Sequence, residues 1–251
     1  MIKRTIGVLN YKGGTGKTTT VVNLASGLAE RGERVLCVDL DAQGGLATYL
    51  DVHYTYSLSH LLLGQAELAA CIVRARDNLD IIACDRTLFQ AEGELWRLGN
   101  TQQARYTLTE RMRGVEGYDY VIFDFSPSIS LVSENGLLYV KEILVPVATN
   151  YLALVGTRQV IDTLKAISQL PGHQFQLSLI IPTFFQGRLR KDREVMRLLR
   201  QYFSDKVAHP IRSDVKLSEA PGHGMTIYEY AANSNGAADY RRLVERVTKN
   251  G

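Results

Sequence analysis

Residues Gly13-Gly14-Thr15-Gly16-Lys17-Thr18-Thr19 constrain the fold more than any other stretch of this chain. They follow a short apolar run, Thr5 to Asn10, and precede Val21, Leu24, Ala25, Leu28 and Ala29 at helical spacing, which ends at Arg31-Gly32. The order is therefore strand, glycine-rich loop, helix. Such a loop gathers successive backbone N–H groups around an anion at the positive end of a helix. Glycine is required there because a side chain would keep the backbone away from a phosphate. Lys17 is spaced to reach β and γ phosphates, and the Thr18 hydroxyl to bind Mg²⁺.

Further short apolar runs recur down the chain: Arg34 to Leu40, Leu79 to Cys84, Tyr120 to Asp124, Ile143 to Val147 and Leu177 to Pro182. Helix-length segments separate them. Continuous rather than alternating apolar strands predict a mostly parallel sheet covered on both faces, a doubly wound α/β fold of phosphate-loop NTPase architecture. Residues 51–78 predict helices but no definite strand. At 251 residues the expectation is one domain over 1–251, with no preceding helix-turn-helix unit and no linker or repeat.

Apolar residues make up 45% of the chain and charged residues 22%, which excludes a fibrous or disordered class. The start, Met1-Ile2-Lys3-Arg4, carries neither a signal-peptide pattern nor a membrane-length run, so a cytoplasmic location is expected. Cys37, Cys71 and Cys84 form no CxxC pair and read as small core residues rather than a metal cluster or disulfide framework. Two acidic strand ends, Asp39-Leu40-Asp41 and Asp124, fall on the rim where ligands bind in open α/β sheets.

The net charge of +3 conceals an asymmetry. Residues 186–251 hold 13 Lys/Arg against 8 Asp/Glu, and residues 1–185 hold 16 against 18. Within the basic end, Arg188, Arg190, Lys191, Arg193, Arg197 and Arg200 cluster on a predicted helix. Arg193, Arg197 and Arg200 share one face, and Val195, Leu198, Leu199 and Tyr202 form the expected buried one. Arg212, Lys216, Arg241, Arg242 and Arg246 extend the patch if the fold brings them together. Such a patch attracts phosphate backbones without reading sequence.

The loop departs from the ordinary phosphate-loop pattern, which has a glycine ahead of Lys12, and instead matches KGGxGKT from Lys12 to Thr18. In this it resembles the superfamily of ParA, MinD and the nitrogenase iron protein. The run Pro210-Ile-Arg-Ser-Asp-Val-Lys-Leu-Ser-Glu-Ala-Pro221 resembles the ParA/Soj segment PRNVRLSEAP, and similarity extends to Gly236-Ala-Ala-Asp-Tyr-Arg241. The resemblance implies ATP and Mg²⁺ as cofactors and slow, partner-stimulated ATP hydrolysis. It also implies a homodimer when ATP is bound, in which Lys12 crosses to the partner's nucleotide as a second cation on the phosphates. Asp41 would then orient or deprotonate the attacking water, Asp124 would hold Mg²⁺ through its water shell, and Asp39 would support that shell.

By the same resemblance, Thr183, Pro210 and Arg212 lie where relatives contact the base. Arg188 and Lys216 correspond to positions that bind DNA non-specifically in the ATP dimer, and lysine at the second keeps the charge but loses the bidentate fork. The family usually reads Asp-Thr-Pro-Pro after the strand that ends at Asp124 and Asp-Leu-Asp-Pro-Gln after the second strand. Here the switch segments are Asp124-Phe-Ser-Pro-Ser128 and Asp39-Leu-Asp-Ala-Gln43.

The implied function is segregation or positioning of plasmid or chromosome cargo over the nucleoid, with a ParB-like adaptor. Its rivals are positioning of a protein cargo such as carboxysomes and a MinD-like membrane cycle. The latter needs a lipid-binding C-terminal helix, and Tyr240 to Gly251 offers only Leu243, Val244 and Val247 as strong apolar anchors, so no stable membrane association is expected. An iron–sulfur ATPase lacks its cysteine pairs, and a metabolic ligase has no evident acceptor-substrate motif.

Overall fold

The computed structural model describes residues 2–97, 101–149, 161–162, 165 and 175–249. Among the described residues, seven strands form one sheet: β1 Arg4–Val8, β2 Val35–Leu40, β3 Ile72–Arg76, β4 Leu79–Ile82, β5 Tyr120–Phe125, β6 Glu142–Ala148 and β7 Gln176–Thr183. Their order is β3-β4-β2-β5-β1-β6-β7. Every neighbouring pair runs parallel except β3 and β4. All six predicted strands are present, and the doubly wound α/β reading stands.

The strand that the sequence did not announce is β3, inside residues 51–78. It is an edge strand, half-buried at most positions with Arg74 exposed, and it joins β4 antiparallel across a short turn at Asn78, whose φ is 59°. A half-solvated edge needs no continuous apolar run, so its charged sequence IVRAR hides it.

Alternate residues of each central strand enter opposite cores. Leu36, Val38, Val121 and Phe123 pack on one face against Leu61, Leu95, Leu108, Val132 and Leu199, from helices Leu58–Leu63, Thr87–Arg97, Thr101–Arg111, Leu131–Tyr139 and Arg190–Phe203. Val35, Cys37, Ile81 and Ile122 pack on the other against Leu24, Leu46, Ile227 and Leu243, from helices Lys17–Ala29, Gly45–Leu50, Ile227–Ala231 and Asn235–Lys249. Burial on both faces explains why these strands read as unbroken apolar runs. The three cysteines are all buried and free, as core residues.

Two close approaches fix the layers. A Cβ at Gly27 would stand 2.7 Å from both the Tyr228 hydroxyl and Val244 Cγ2, so glycine lets helix Lys17–Ala29 seat against the C-terminal helix. Beyond β7, residues 207–213 run alongside its edge, with Ala208 N–H donating to Ile180 O at 2.9 Å and Ile211 N–H to Pro182 O at 2.8 Å. The segment covers an otherwise exposed strand edge. Among the described residues no helix is long and apolar enough to cross a membrane.

Candidate nucleotide site

Sheet order brings the predicted chemistry to one rim. Val8, Asp124 and Asp39 are register partners across β1, β5 and β2, so the loop after β1 emerges beside both acidic strand ends. Gly14 and Gly16 take φ of 68° and 85°, left-handed backbone that other residues resist. Gly16 caps helix Lys17–Ala29, accepting from Thr20 N–H at 2.9 Å. The loop thus lies at a helix N-terminus, as an anion cradle requires.

Buried polar residues anchor the loop on both sides. Asn10, fully buried, donates to Pro146 O at 2.7 Å and accepts from Lys12 N–H at 2.9 Å. Thr183, also buried, donates to Thr15 O at 2.9 Å and ties the end of β7 to the loop. Thr149 N–H in turn donates to Thr183 O at 3.0 Å. Sequence reasoning missed Asn10 and Thr149. The signal available for Asn10 was a polar residue at the end of an apolar strand, directly before the loop.

The Thr18 hydroxyl donates to Asp124 Oδ2 at 2.6 Å. Asp124 is buried, and its Oδ1 has no hydrogen-bond partner. Burial is the largest cause pushing its carboxyl up to about 7; the Thr18 bond and Lys17 pull it back, and Asp41 adds to the rise. Lys17 is buried too, and desolvation lowers its ammonium below the ordinary lysine range against the opposing pull of Asp124 and Asp41. An ammonium, a hydroxyl and a carboxylate oxygen lacking a partner therefore converge beside the cradle. This donor set fits a hydrated Mg²⁺ and a phosphate chain, each of which would satisfy a group now short of partners.

Asp41 begins the loop that follows β2. Its Oδ1 accepts from Gln43 N–H at 3.0 Å and its carbonyl from Gly44 N–H at 2.9 Å. A Cβ at Gly45 would lie 3.2 Å from both Cγ2 and Oγ1 of Thr18, so this loop packs directly on Thr18. Asp39, expected to support a metal shell, is bonded to backbone: Oδ1 accepts from Asp41 N–H at 2.9 Å and Oδ2 from Leu46 N–H at 3.0 Å.

A mainly apolar cavity of about 350 Å³ adjoins the loop, lined by Gly16, Thr19, Thr183, Phe184, Ile211, Ser213 and Tyr240 among others. Of the three expected base contacts, only Thr183 lines it. Pro210 and Arg212 do not, because the 207–213 segment runs extended beside β7 and its alternate residues, Ile211 and Ser213, turn to the cavity. The Arg212 guanidinium grips the buried carboxylate of Asp239, with Nε to Oδ2 and Nη2 to Oδ1 both at 2.8 Å.

The basic end divides. Arg188, Arg190, Lys191, Arg193, Arg197 and Arg200 lie on or just before helix Arg190–Phe203, away from its buried face. That buried face is Asp192, Val195, Met196 and Leu199, whereas Tyr202, expected inside, is 73% exposed. Its neighbour Phe203 takes the partly buried place, a register set by how Asp192 docks: Oδ2 accepts from Gln186 N–H at 2.7 Å and Thr149 Oγ1 at 3.1 Å. Arg241, Arg242 and Arg246 belong to helix Asn235–Lys249, on the opposite face of the sheet. They do not merge with the first cluster into one helix-borne patch, whereas Lys216 follows the 211–213 segment that pairs with Phe185. Lys216 pairs with Glu219 at 2.9 Å, Arg241 donates to Ala232 O at 2.8 Å, and Arg242 meets His209 at 3.1 Å. Leu243, Val244 and Val247, the candidate lipid anchors, are buried in the core; residues 250–251 lie outside the described residues.

Comparison with known proteins agrees with this geometry. The AAA domain family model matches residues 3–177. The chromosome-partitioning ATPase Soj of Thermus thermophilus is 38% identical over 245 residues, covering 97% of this chain and 95% of that one. The chromosome partitioning protein ParA of Caulobacter vibrioides is 31% identical over 252 residues, covering 97% and 93%. Among solved structures, cobyrinic acid a,c-diamide synthase from Mycobacterium smegmatis with an ATP analogue and magnesium superposes with a TM-score of 0.84 at 28% identity, covering 99% of this chain and 96% of that one. With the KGGxGKT loop, both acidic strand ends and near-complete coverage in hand, the chain belongs to the ParA/Soj family of chromosome-partitioning ATPases.

Proposed function

We propose that this chain is an ATP-driven switch for DNA partition, working as a single ATPase domain over residues 1–251. ATP and Mg²⁺ are its cofactors. The observation that carries the reading is the convergence of buried Lys17, the Thr18–Asp124 pair and the unpartnered Asp124 Oδ1 on the loop cradle. Thr18 would hold Mg²⁺ directly, and Asp124 and Asp41 through its waters. The ion, when bound, neutralises charge on the phosphates.

The chain's own groups do the rest. Gly13 to Thr19 orient the phosphates through backbone N–H groups and Lys17. Asp41 accepts a proton from, or aligns, the attacking water. Lys12 reaches the nucleotide of a second copy, so that hydrolysis requires an ATP-bound homodimer, and its charge supplements Lys17 as phosphoryl charge builds. The cavity beside Thr183 takes the base, with Phe184, Ile211 and Ser213 as its walls in place of Pro210 and Arg212.

In the dimer, Arg188, Arg190, Lys191, Arg193, Arg197 and Arg200 bind DNA backbone without sequence preference, with Lys216, Arg241 and Arg242 as separate contributions. A ParB-like adaptor accelerates hydrolysis, and the working location is the cytoplasmic nucleoid. Burial of Leu243, Val244 and Val247 supports DNA over lipid as the second ligand, because the C-terminal helix spends its apolar face on the core.

The test is binding of wild-type and Asp41→Ala protein to random duplex DNA and to anionic liposomes, with ATP, ADP or no nucleotide, across a salt series. The expected result is salt-sensitive DNA binding that needs ATP, persists in Asp41→Ala and drops in Arg188→Ala. Liposome binding without DNA binding overturns the reading in favour of a membrane cycle.

A further inference from the structure

We infer that Asp39 is a positioning residue for hydrolysis: it straps down the loop that carries Asp41 and thereby sets where Asp41 stands relative to Thr18 and Asp124. The inference rests on the proposed role of Asp41 and names the residue on which that role depends.

The geometry is a clamp with two jaws. Asp39 ends β2 with none of its surface exposed. One carboxylate oxygen accepts from Asp41 N–H at 2.9 Å and the other from Leu46 N–H at 3.0 Å, so a single side chain holds both ends of residues 41–46. An aspartate here is not interchangeable with its amide. Both partners are N–H donors, and an amide offers them one acceptor and one further donor. Burial and the neighbouring Asp124 raise the Asp39 carboxyl, and the two backbone N–H bonds pull it back only in part.

The loop between the jaws has little freedom of its own. Gly44 has a φ of 65°, and a Cβ there would stand 2.6 Å from the carbonyl oxygen of Cys84. Gly45 has room for no more than a tight contact with Thr18, at 3.2 Å. Tyr54 holds that same Cys84 carbonyl from behind, donating at 3.2 Å. The loop is therefore wedged between the end of β4 and the metal-site threonine, and Asp39 pulls it into the wedge from β2. Register adds a further constraint: Asp39 and Asp124 face one another across β2 and β5, so the strap and the metal-site acid share one rigid platform. Each oxygen accepts one N–H from this loop, and through these two bonds Asp39 acts on Asp41.

Amide hydrogen exchange, ATP turnover and nucleotide binding of wild type, Asp39→Asn, Asp39→Ala and Asp41→Ala test this. In the wild type, the Asp41 and Leu46 amides exchange slowly without nucleotide. Asp39→Asn is expected to lose protection at one of them and Asp39→Ala at both. Turnover should fall by about 10-fold and about 100-fold respectively, the scale of a displaced reacting group. ATP affinity and the Mg²⁺ concentration for half-maximal turnover should stay at wild-type values.

If Asp39→Asn instead raises the Mg²⁺ requirement and excess Mg²⁺ restores turnover, Asp39 is a metal-shell ligand and the inference is overturned. Rapid exchange at both amides in the folded wild type overturns it as well, and this measurement serves if neither variant folds. Normal turnover in Asp41→Ala defeats the proposed role of Asp41 itself. Loss of turnover in Asp41→Ala with wild-type behaviour in Asp39→Asn defeats only the strap.

Discussion

Asp124 combines burial, a 2.6 Å bond from Thr18 and an oxygen without a partner, and its carboxyl is pushed up to about 7, with desolvation as the main cause. In the unfolded chain the same group ionises in the ordinary range near about 4. Between those values the folded, nucleotide-free protein holds more protons than the unfolded one, so its stability falls as pH rises through that window. Asp39, raised by burial and by Asp124, acts in the same direction. Thermal unfolding without nucleotide should therefore show Asp124→Asn gaining on wild type from about pH 5 to about pH 8; parallel curves would contradict the assignment. Mg²⁺ binding should strengthen with pH across the same range, because it requires the ionised form. At Lys12, substitution by alanine should leave ATP binding near wild type and cut turnover by about 10³-fold, the effect of losing a charge-neutralising finger. Equal losses in binding and turnover would make Lys12 an ordinary loop cation.

Among the elements, helix Arg190–Phe203 shows how a helical face can be misjudged by one position. Arg193, Arg197 and Arg200 stay clear of the core as their spacing predicts, but the apolar seam runs through Asp192, Val195, Met196 and Leu199 rather than toward Tyr202. A buried aspartate made that seam invisible to a hydrophobic pattern. Leu199→Ala should cost about 2–5 kcal/mol by leaving a cavity, while Tyr202→Ala should change stability by less than about 0.5 kcal/mol. Urea unfolding of the two variants checks the pair, and equal costs would return Tyr202 to the core. On the other face, Gly27→Ala introduces a methyl 2.7 Å from Tyr228 and Val244. Helix Lys17–Ala29 cannot retreat without shifting the loop at its N-terminus, so overpacking of about 1–3 kcal/mol is expected, together with weakened ATP binding. A destabilised variant with unchanged ATP affinity would uncouple the helix seat from the loop.

Across the whole molecule, positive charge occupies two surfaces on opposite sides of the sheet, one on helix Arg190–Phe203 and one on helix Asn235–Lys249. If the first carries the DNA-binding charges, Arg190→Ala, Arg193→Ala and Arg197→Ala together should lower the salt slope of binding by about one for each phosphate that is no longer neutralised. Binding should weaken alike on all sequences, since groups that meet only the backbone read none. Arg242→Ala, well separated across the sheet, should add its effect independently to within about 0.5 kcal/mol. A slope unchanged by the triple substitution would move the DNA surface to the other face. Equilibrium binding to random duplexes at several salt concentrations measures both.

The sequence by itself determined the order of strand, cradle and helix, six of the seven strands, and the gathering of Lys17, Thr18, Asp41 and Asp124 at one rim. Each of these follows from local rules: glycine where φ is positive, unbroken apolar runs where both faces are buried, acids at strand carboxyl ends. Only the tertiary structure decided that Asp39 grips the loop after its own strand, that Ile211 and Ser213 rather than Pro210 and Arg212 line the cavity, and that the basic helices divide between two faces. Those outcomes depend on partners distant in the chain, Asp239 for Arg212 and Thr149 for Asp192, and on which side of a strand a residue emerges. A β3 made of half-solvated edge residues belongs with them, because its pairing with β4 and not its apolarity makes it a strand.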